Sequence, residues 1–191
     1  MIGLIAGVDE AGRGPLAGEV CAAAVVLNDD NSIVGLDDSK KISDKKRREL
    51  SETIKSQAAY WSISVATVEE IVELNILQAT LLAMRRAVEQ LSITPSLVLV
   101  DGNQDPMLGV PTRTIIQGDR KEACISAASI LAKVARDDMM LSYDKQYPQW
   151  GFAKHKGYGT KQHLDAIRTH GVTPIHRLTF EPIKTLLSSK K

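Results

Sequence analysis

Residues 3–14, GLIAGVDEAGRG, constrain the fold of this chain more than any other stretch. They begin with a short apolar run, residues 4–8, whose length is typical of a fully buried β-strand. The run ends at two adjacent carboxylates, Asp9 and Glu10, and a glycine-flanked cation, Arg13, follows them. Adjacent side chains of a regular strand point to opposite faces of the sheet. Both acids therefore reach one point only if the backbone bends or bulges, which the surrounding glycines allow.

Two acidic groups at the end of a buried strand are unfavourable unless a cation neutralises them. A divalent metal ion has the charge to do so. The alternative is that Glu10 is solvated and Asp9 caps the following turn. This stretch alone leaves both interpretations open.

The bulk composition indicates one ordinary globular domain. At 191 residues, with 43% hydrophobic and 25% charged residues, the chain is long enough for a full core. The net charge of +1 excludes a strongly basic protein that coats nucleic acid by charge alone, although it allows local basic patches. Cys21 and Cys124 share no motif, so we expect reduced core thiols. Because we find no secretory signal and no apolar run of about 18 residues, we expect a cytoplasmic protein that binds no membrane, with a monomer as the default.

Apolar runs and helix-period stripes indicate strands that alternate with helices. Strands are predicted at residues 20–27, 60–65, 97–100 and 112–116. A helix is predicted to begin at Ser43, and another at Thr67, where Glu70 completes a capping box. Further helices are predicted at residues 75–91, 122–143, 160–170 and 180–187, with residues 118–121 opening the second of these four.

Acidic residues follow three of the predicted strands. Asp9 and Glu10 end the first strand, Asp101 directly follows residues 97–100, and Asp119 lies just beyond residues 112–116. Parallel neighbours in a sheet would bring these carboxylates together, and four of them cannot stay ionised within a few ångströms without cations. Oxygen ligands alone suit Mg²⁺ or Mn²⁺, and two such ions are the usual machinery for attack on a phosphate ester. Taken singly, Asp119 is also a candidate helix N-cap.

Two other segments could contact phosphates. Six of the nine residues 40–48 are Lys or Arg, and Ser39 and Lys40 lie just ahead of a helix, a good position to hold a phosphate. The alternative for this run is a solvated helix face. Residues 150–161 interleave aromatic residues, cations and glycines, a pattern suited to stacking on sugars or bases, or to packing on the domain itself. The histidines lack the spacing of a structural zinc site.

Several long motifs in this order resemble the bacterial type 2 ribonucleases H, ribonuclease HII. The resemblance runs from about residue 5 to 187 and is carried by residues 7–15 (GVDEAGRGP), 38–41 (DSKK), 74–77 (LNIL), 101–103 (DGN), 118–119 (GD), 125–137 (ISAASILAKVARD) and 152–158 (FAKHKGY). It implies an RNase H-like α/β fold, with a mixed five-stranded sheet flanked by helices and a C-terminal helical lobe. We expect a single domain over residues 1–191, with a catalytic core to about 145 and a lobe over about 146–191 that carries the Tyr158 loop.

The resemblance also implies an activity: hydrolysis of the RNA strand of RNA–DNA hybrids, with Mn²⁺ or Mg²⁺. This includes cutting 5′ of a single ribonucleotide embedded in duplex DNA to leave 3′-hydroxyl and 5′-phosphate ends, as in ribonucleotide excision repair. The residues that match the family's catalytic carboxylates are Asp9, Glu10, Asp101 and Asp119. Those that match its substrate-binding positions are Gly12, Arg13 and Gly14 for the 2′-hydroxyl and neighbouring phosphate, Tyr158 for the adjacent sugar, and Ser39 and Lys40 for phosphate.

Three alternatives compete with this interpretation. Type 3 ribonucleases H share the acidic set but carry an N-terminal extension and typically Lys between the two glycines, where this chain has Arg13. A Holliday-junction resolvase would not need the Gly12–Gly14 segment paired with Tyr158. A non-catalytic hybrid binder would be expected to lack one of the carboxylates. Asp137 is predicted to pair with Lys133 or Arg136 rather than to join the catalytic set.

Overall fold

The computed structural model describes residues 3–28, 33–36, 39 and 41–188. Its strands are β1 (Ile5–Ala11), β2 (Val20–Val26), β3 (Tyr60–Ala66), β4 (Leu97–Asp101) and β5 (Thr112–Ile115). Its helices are α1 (Asp44–Gln57), α2 (Val68–Leu74), α3 (Ile76–Glu89), α4 (Ala123–Gln146), α5 (Phe152–His155), α6 (Lys161–His170) and α7 (Ile183–Ser188). Residues 118–121 do not open α4 as predicted, because Gly118–Arg120 form a separate 3₁₀ turn.

The strands form one mixed five-stranded sheet in the order β3-β2-β1-β4-β5, which confirms the predicted fold class. The pairs β1–β2 and β2–β3 are antiparallel, whereas β1–β4 and β4–β5 are parallel. Parallel β1, β4 and β5 therefore end at the same edge of the sheet. Val8 is paired with Val100, so Asp9 and Asp101 each follow the same rung of the ladder.

Helices cover both faces of this sheet. On one face α3 packs on β1, β2 and β3, with Ala83, Met84 and Ala87 in the core. On the other face α4 lies close to β1 and β2, because its small residues permit the approach. A Cβ at Gly7 would overlap the backbone of Cys124 and Ile125, so β1 and the start of α4 touch through main chain. This close contact sets the distance between α4 and the strand that carries Asp9 and Glu10.

Local capping signals set several helix ends as predicted. Ser43 caps α1 by accepting from the Lys46 amide, and Thr67 forms the capping box with Glu70. Thr160 caps α6. Both cysteines are free thiols, and burial raises the pKa of Cys21 to about 12, so it stays protonated. No helix in the described ranges is both long and apolar enough to cross a membrane.

The C-terminal segment forms a small lobe against one end of α4 and the segment that follows β1. Leu16 packs with Ile167 and Ile183, while Ala17 packs with Met140 and Phe152. A single β-bridge joins Ala17 to His176. The lobe is therefore attached directly to the residues that follow the acids of β1.

Candidate active site at the carboxyl ends of the parallel strands

Asp9 and Glu10 lie within β1 rather than after it, because the strand pairs regularly with β2 as far as Ala11. The bend comes at Gly12, whose φ of 102° is a conformation that side chains disfavour. Asp9 is only 6% exposed, and its Oδ1 accepts the Glu10 amide at 2.7 Å. The Ser129 side chain of α4 lies near enough to favour the charged form of Asp9, although burial outweighs it. The strand is therefore regular at the two acids, and the bend that the glycines allow comes after them.

Asp101 ends β4, and its side chain binds the main chain of the turn that contains Asp119. Its Oδ1 accepts the Gly118 amide at 2.7 Å and the Asp119 amide at 3.4 Å. Asp119 is not a helix N-cap, because α4 is preceded by Glu122 and the 3₁₀ turn by Gln117. The structure therefore brings Asp119 beside Asp101 through main-chain contact, at the edge where Asp9 also lies.

Asp9 and Glu10 both resist ionisation, because each has a raised pKa. Burial raises the pKa of Asp9 well above its ordinary value, and repulsion from Glu10 and Asp101 raises it further. Burial also raises the pKa of Glu10, although Arg13, whose Nη1 lies 3.5 Å from Glu10 Oε1, opposes the rise. Clustered carboxylates of this kind stay charged when a cation neutralises them.

The donor set fits a hard divalent cation, since all four side chains offer only carboxylate oxygen. As the side chains lie here, no three His, Cys, Asp or Glu residues in the described ranges form a ready ligand cluster. Coordination therefore requires the carboxylates to turn towards a shared ion, which also removes the repulsion that raises the pKa of Asp9.

The glycine-rich segment, residues 12–18, and Tyr158 lie side by side, as the sequence predicts. A Cβ at Gly14 would come 3.7 Å from Tyr158 Cε1, an ordinary contact. The Leu16 amide donates to the Gly157 carbonyl at 2.8 Å and holds the two loops together. Tyr158 is 45% exposed, so its ring is accessible from solvent.

Ser39 lies behind the acids instead of on the surface. It is 4% exposed, and its Oγ is 2.9 Å from Ser129 Oγ, the residue that also contacts Asp9. Arg47 Nε donates to the Ser39 carbonyl at 2.9 Å. Lys40, its predicted partner in phosphate binding, lies outside the described residues.

The basic run and Asp137 are joined in one buried network. Arg47 is buried and lies 3.6 Å from Asp137, whereas Lys45 and Lys46 are exposed, so Arg47 departs from a solvated helix face that its neighbours do form. Lys133 Nζ is 2.6 Å from Asp137 Oδ1, which confirms the predicted partner and keeps Asp137 out of the acidic site. Arg136 bonds elsewhere, to main-chain carbonyls.

Sequence reasoning missed a buried histidine network in the lobe. His176 Nδ1 accepts from the Thr173 amide at 2.8 Å, so its Nε2 can donate to His163 Nε2 at 3.1 Å. His163 Nδ1 is then free to donate to the Tyr158 carbonyl at 3.0 Å. Both rings are neutral in this arrangement, and burial lowers the pKa of each to about 4. Their separation in sequence gives no signal of it.

It also missed Arg177, whose guanidinium reaches the carbonyls of the glycine-rich segment from the lobe. No local pattern around this residue distinguishes it from a surface arginine. Only the fold brings it against residues that precede it by most of the chain length.

Comparison with known proteins agrees with the fold. The family model for ribonuclease HII matches residues 6–183. A ribonuclease HII from Coxiella burnetii is 61% identical over 183 residues, which cover 96% of this chain and 91% of the relative. The crystal structure of ribonuclease H2 from Pyrococcus horikoshii superposes with a TM-score of 0.82 at 26% identity, over 97% of both chains. The Bst RNase HIII in complex with Mn²⁺ shares the fold at a TM-score of 0.75 and 15% identity, over 98% of this chain and 70% of that one.

Proposed function

This chain belongs to the ribonuclease HII family and is a ribonuclease H, a metal-dependent hydrolase of RNA in RNA–DNA hybrids; from that premise we propose that it also cuts duplex DNA 5′ of a single embedded ribonucleotide. The products would carry a 3′-hydroxyl and a 5′-phosphate. Such a cut begins the removal of ribonucleotides from DNA. The proposal places Asp9, Glu10, Asp101 and Asp119 as the catalytic carboxylates.

One observation supports this substrate above the others. Arg13 joins the acidic edge to the glycine-rich segment, since its guanidinium lies 3.5 Å from Glu10 while the next residue, Gly14, adjoins the exposed Tyr158 ring. A backbone that can approach a sugar closely, and an aromatic ring beside it, are suited to recognising one nucleotide next to the reacting phosphate.

In the proposed mechanism the two parts of the site have different tasks. Bound Mg²⁺ or Mn²⁺ supplies the charge that favours in-line attack of water on phosphorus and that stabilises the departing 3′-oxygen. Asp9 and Asp101 hold that charge at the sheet edge, while Arg13 contacts the neighbouring phosphate. Tyr158 packs on the sugar and keeps the strand from sliding.

The 2′-hydroxyl is the group by which RNA differs from DNA at a single position. The main-chain amides of Arg13 and Gly14 are placed to bond it in this proposal, and Gly12 forms the bend that presents them. An all-DNA strand leaves that bond unmet, at a cost of roughly 1–3 kcal/mol, or about 5- to 150-fold in affinity. A phosphate contact from Lys40 adds affinity that falls as salt rises, while Ser39, which is buried against Ser129, supports the site from behind instead of contacting phosphate.

The test is cleavage of an end-labelled DNA duplex with one internal ribonucleotide, in Mg²⁺, Mn²⁺ or EDTA. We expect a metal-dependent cut on its 5′ side, and none in an all-DNA duplex of the same sequence. Cleavage only of long hybrids would indicate a type 1 or type 3-like activity instead. Tight binding without any cleavage would favour a non-catalytic hybrid binder.

We further propose that the protein acts in the cytoplasm as a monomer with nucleic acid as its partner, and that residues 1–191 form one domain with a core to about 145 and a lobe beyond it. Residues of the lobe pack on Leu16 and Ala17 of the core, which supports treating the two as one unit. Light scattering after gel filtration tests the monomer, and a mass near 42 kDa, twice the 20.8 kDa of the chain, would contradict it.

A further inference from the structure

We propose that Arg177 is a positioning residue for substrate recognition: from the lobe it turns the glycine-rich loop, residues 12–18, so that the amides of Arg13 and Gly14 face the substrate. The inference rests on the function proposed above. Arg177 is completely buried and forms no ion pair with any residue that the structure describes. It is therefore held by main chain and not by a carboxylate.

The guanidinium of Arg177 donates hydrogen bonds to four main-chain carbonyls of this loop. Nη2 donates to the Gly12 carbonyl at 2.6 Å, and Nη1 donates to those of Arg13 and Pro15 at 2.9 Å each. Nε donates to the Gly18 carbonyl at 2.9 Å. Burying an unpaired cation is unfavourable unless its donors are satisfied, and a planar guanidinium can satisfy several acceptors at fixed angles. Burial lowers the pKa of Arg177 to about 9, which leaves it charged at neutral pH.

These bonds decide which way the loop amides point. In a planar trans peptide the carbonyl and the following N–H point in opposite directions. The carbonyls of Gly12 and Arg13 point to Arg177, so the amides of Arg13 and Gly14 point away from the lobe. Neither amide donates to an acceptor within the described residues, and both residues are exposed. Two outward donors beside a cationic side chain suit an oxygen of a sugar hydroxyl or a phosphate.

A second buried arginine completes the connection to Tyr158. Arg136 Nη2 donates to the Ala17 carbonyl and Nη1 to that of Lys156, both at 3.0 Å. The loop and the Tyr158 segment are thus held by one pair of cations from behind. Arg177 acts through the loop and touches no substrate, so its removal should alter discrimination rather than the chemical step.

Lysine in place of Arg177 tests this directly, because an ammonium keeps the charge but lacks the fork that reaches four carbonyls. Arg86→Lys is the matched control. Arg86 also donates to a main-chain carbonyl, that of Val65, and pairs with Glu70 of α2. Discrimination is measured in one Mg²⁺ reaction as the Ki of an all-DNA duplex divided by the KM for the same duplex with one ribonucleotide.

We expect Arg177→Lys to lower this ratio at least fivefold through a higher KM, with kcat changed less than threefold, while Arg86→Lys keeps the wild-type ratio. A lower melting temperature with an unchanged ratio would overturn the inference and leave the proposed function intact. Absence of cleavage by the unmodified protein would instead remove the proposed function, and this inference with it.

Hydrogen exchange in the unmodified protein tests the inference even if the lysine variant does not fold. The Arg13 and Gly14 amides should exchange freely in the protein alone. In EDTA the single-ribonucleotide duplex should slow them at least fivefold more than the all-DNA duplex does. Equal exchange with both duplexes would contradict outward amides that read the 2′-hydroxyl.

Discussion

Two glycines only two positions apart should respond in opposite ways to the same added methyl group. Gly12 has a φ of 102°, and a Cβ there would overlap Nε and Cδ of Arg136 and come 3.0 Å from the Glu19 carbonyl. Gly14 has no such φ, and its Cβ would meet only Tyr158 Cε1 at 3.7 Å. Gly12→Ala should therefore disrupt the folded state, whereas Gly14→Ala should fit within it.

The magnitudes follow from these contacts. A left-handed backbone costs a residue with a side chain about 1–2 kcal/mol, and overpacking against buried Arg136 adds about 1–3 kcal/mol. Gly12→Ala should thus lower the free energy of unfolding by about 2–5 kcal/mol, and the melting temperature by on the order of 10 °C for a chain of this length. Gly14→Ala should change stability by less than about 0.5 kcal/mol.

Cleavage activity should show the opposite pattern for Gly14→Ala: a large loss of activity without a loss of stability. The methyl of Gly14→Ala lies where the sugar and phosphate approach, so it should lower kcat/KM on the single-ribonucleotide duplex at least tenfold in a protein of normal stability. Thermal unfolding by circular dichroism and cleavage assays at 25 °C measure the two effects. Comparable destabilisation by both substitutions, or full activity of Gly14→Ala, would refute the assignment of Gly12 to the fold and of Gly14 to the substrate.

Three further perturbations have expected outcomes. Asp9→Asn or Asp101→Asn should abolish cleavage and retain duplex binding, because the amide keeps the shape but loses the charge that holds a divalent ion; cleavage gels and fluorescence anisotropy measure both. Tyr158→Ala should reduce kcat/KM on single-ribonucleotide duplexes far more than on long hybrids. Urea unfolding should show stability that is complete above about pH 6.5 and is lost as pH falls towards 4. Burial lowers the pKa of His163 and His176 to about 4, so between pH 4 and 6.5 only the unfolded chain binds protons at these rings. The free energy of unfolding should therefore fall by roughly 1.4 kcal/mol per pH unit for each proton taken up.

Each of these outcomes has a clear contrary. Cleavage by either asparagine variant would remove that carboxylate from the ion site. Equal losses on both substrates would reassign Tyr158 to general duplex binding. His163→Gln should flatten the pH dependence of stability, whereas His170→Gln on the exposed end of α6 should preserve it. The same slope in both histidine variants would place the protons elsewhere.

Local sequence signals predicted the elements well where one short-range force dominates. The apolar composition of β2, VCAAAVV, leaves it no stable place except the sheet interior, and every residue of it is buried. Ser43 and Thr67 cap helices because their side chains satisfy amides only three residues away. The residues after β5 were less predictable, since the 3₁₀ turn at Gly118 is held by the distant Asp101 side chain.

The candidate site shows the same difference between features set by the local sequence and features set by distant contacts. The four carboxylates could be named from the sequence because each lies near the end of a strand or shortly after one, a position that does not depend on which strands are neighbours. The burial of Ser39 could not be foreseen, because it depends on Ser129 of a helix that the chain reaches much later. The same holds for the histidine pair behind Tyr158.

The sequence by itself determined the α/β elements, the acids at their ends and the motifs that mark the family, because these depend on composition, short-range spacing and the order of residues. Only the tertiary structure decided that β1, β4 and β5 run parallel side by side, that Asp101 fastens the turn of Asp119, and that Arg177 holds the glycine-rich loop. These are contacts between residues far apart in the chain. Their energies exist only once the sheet and the lobe have packed, so no local pattern records them.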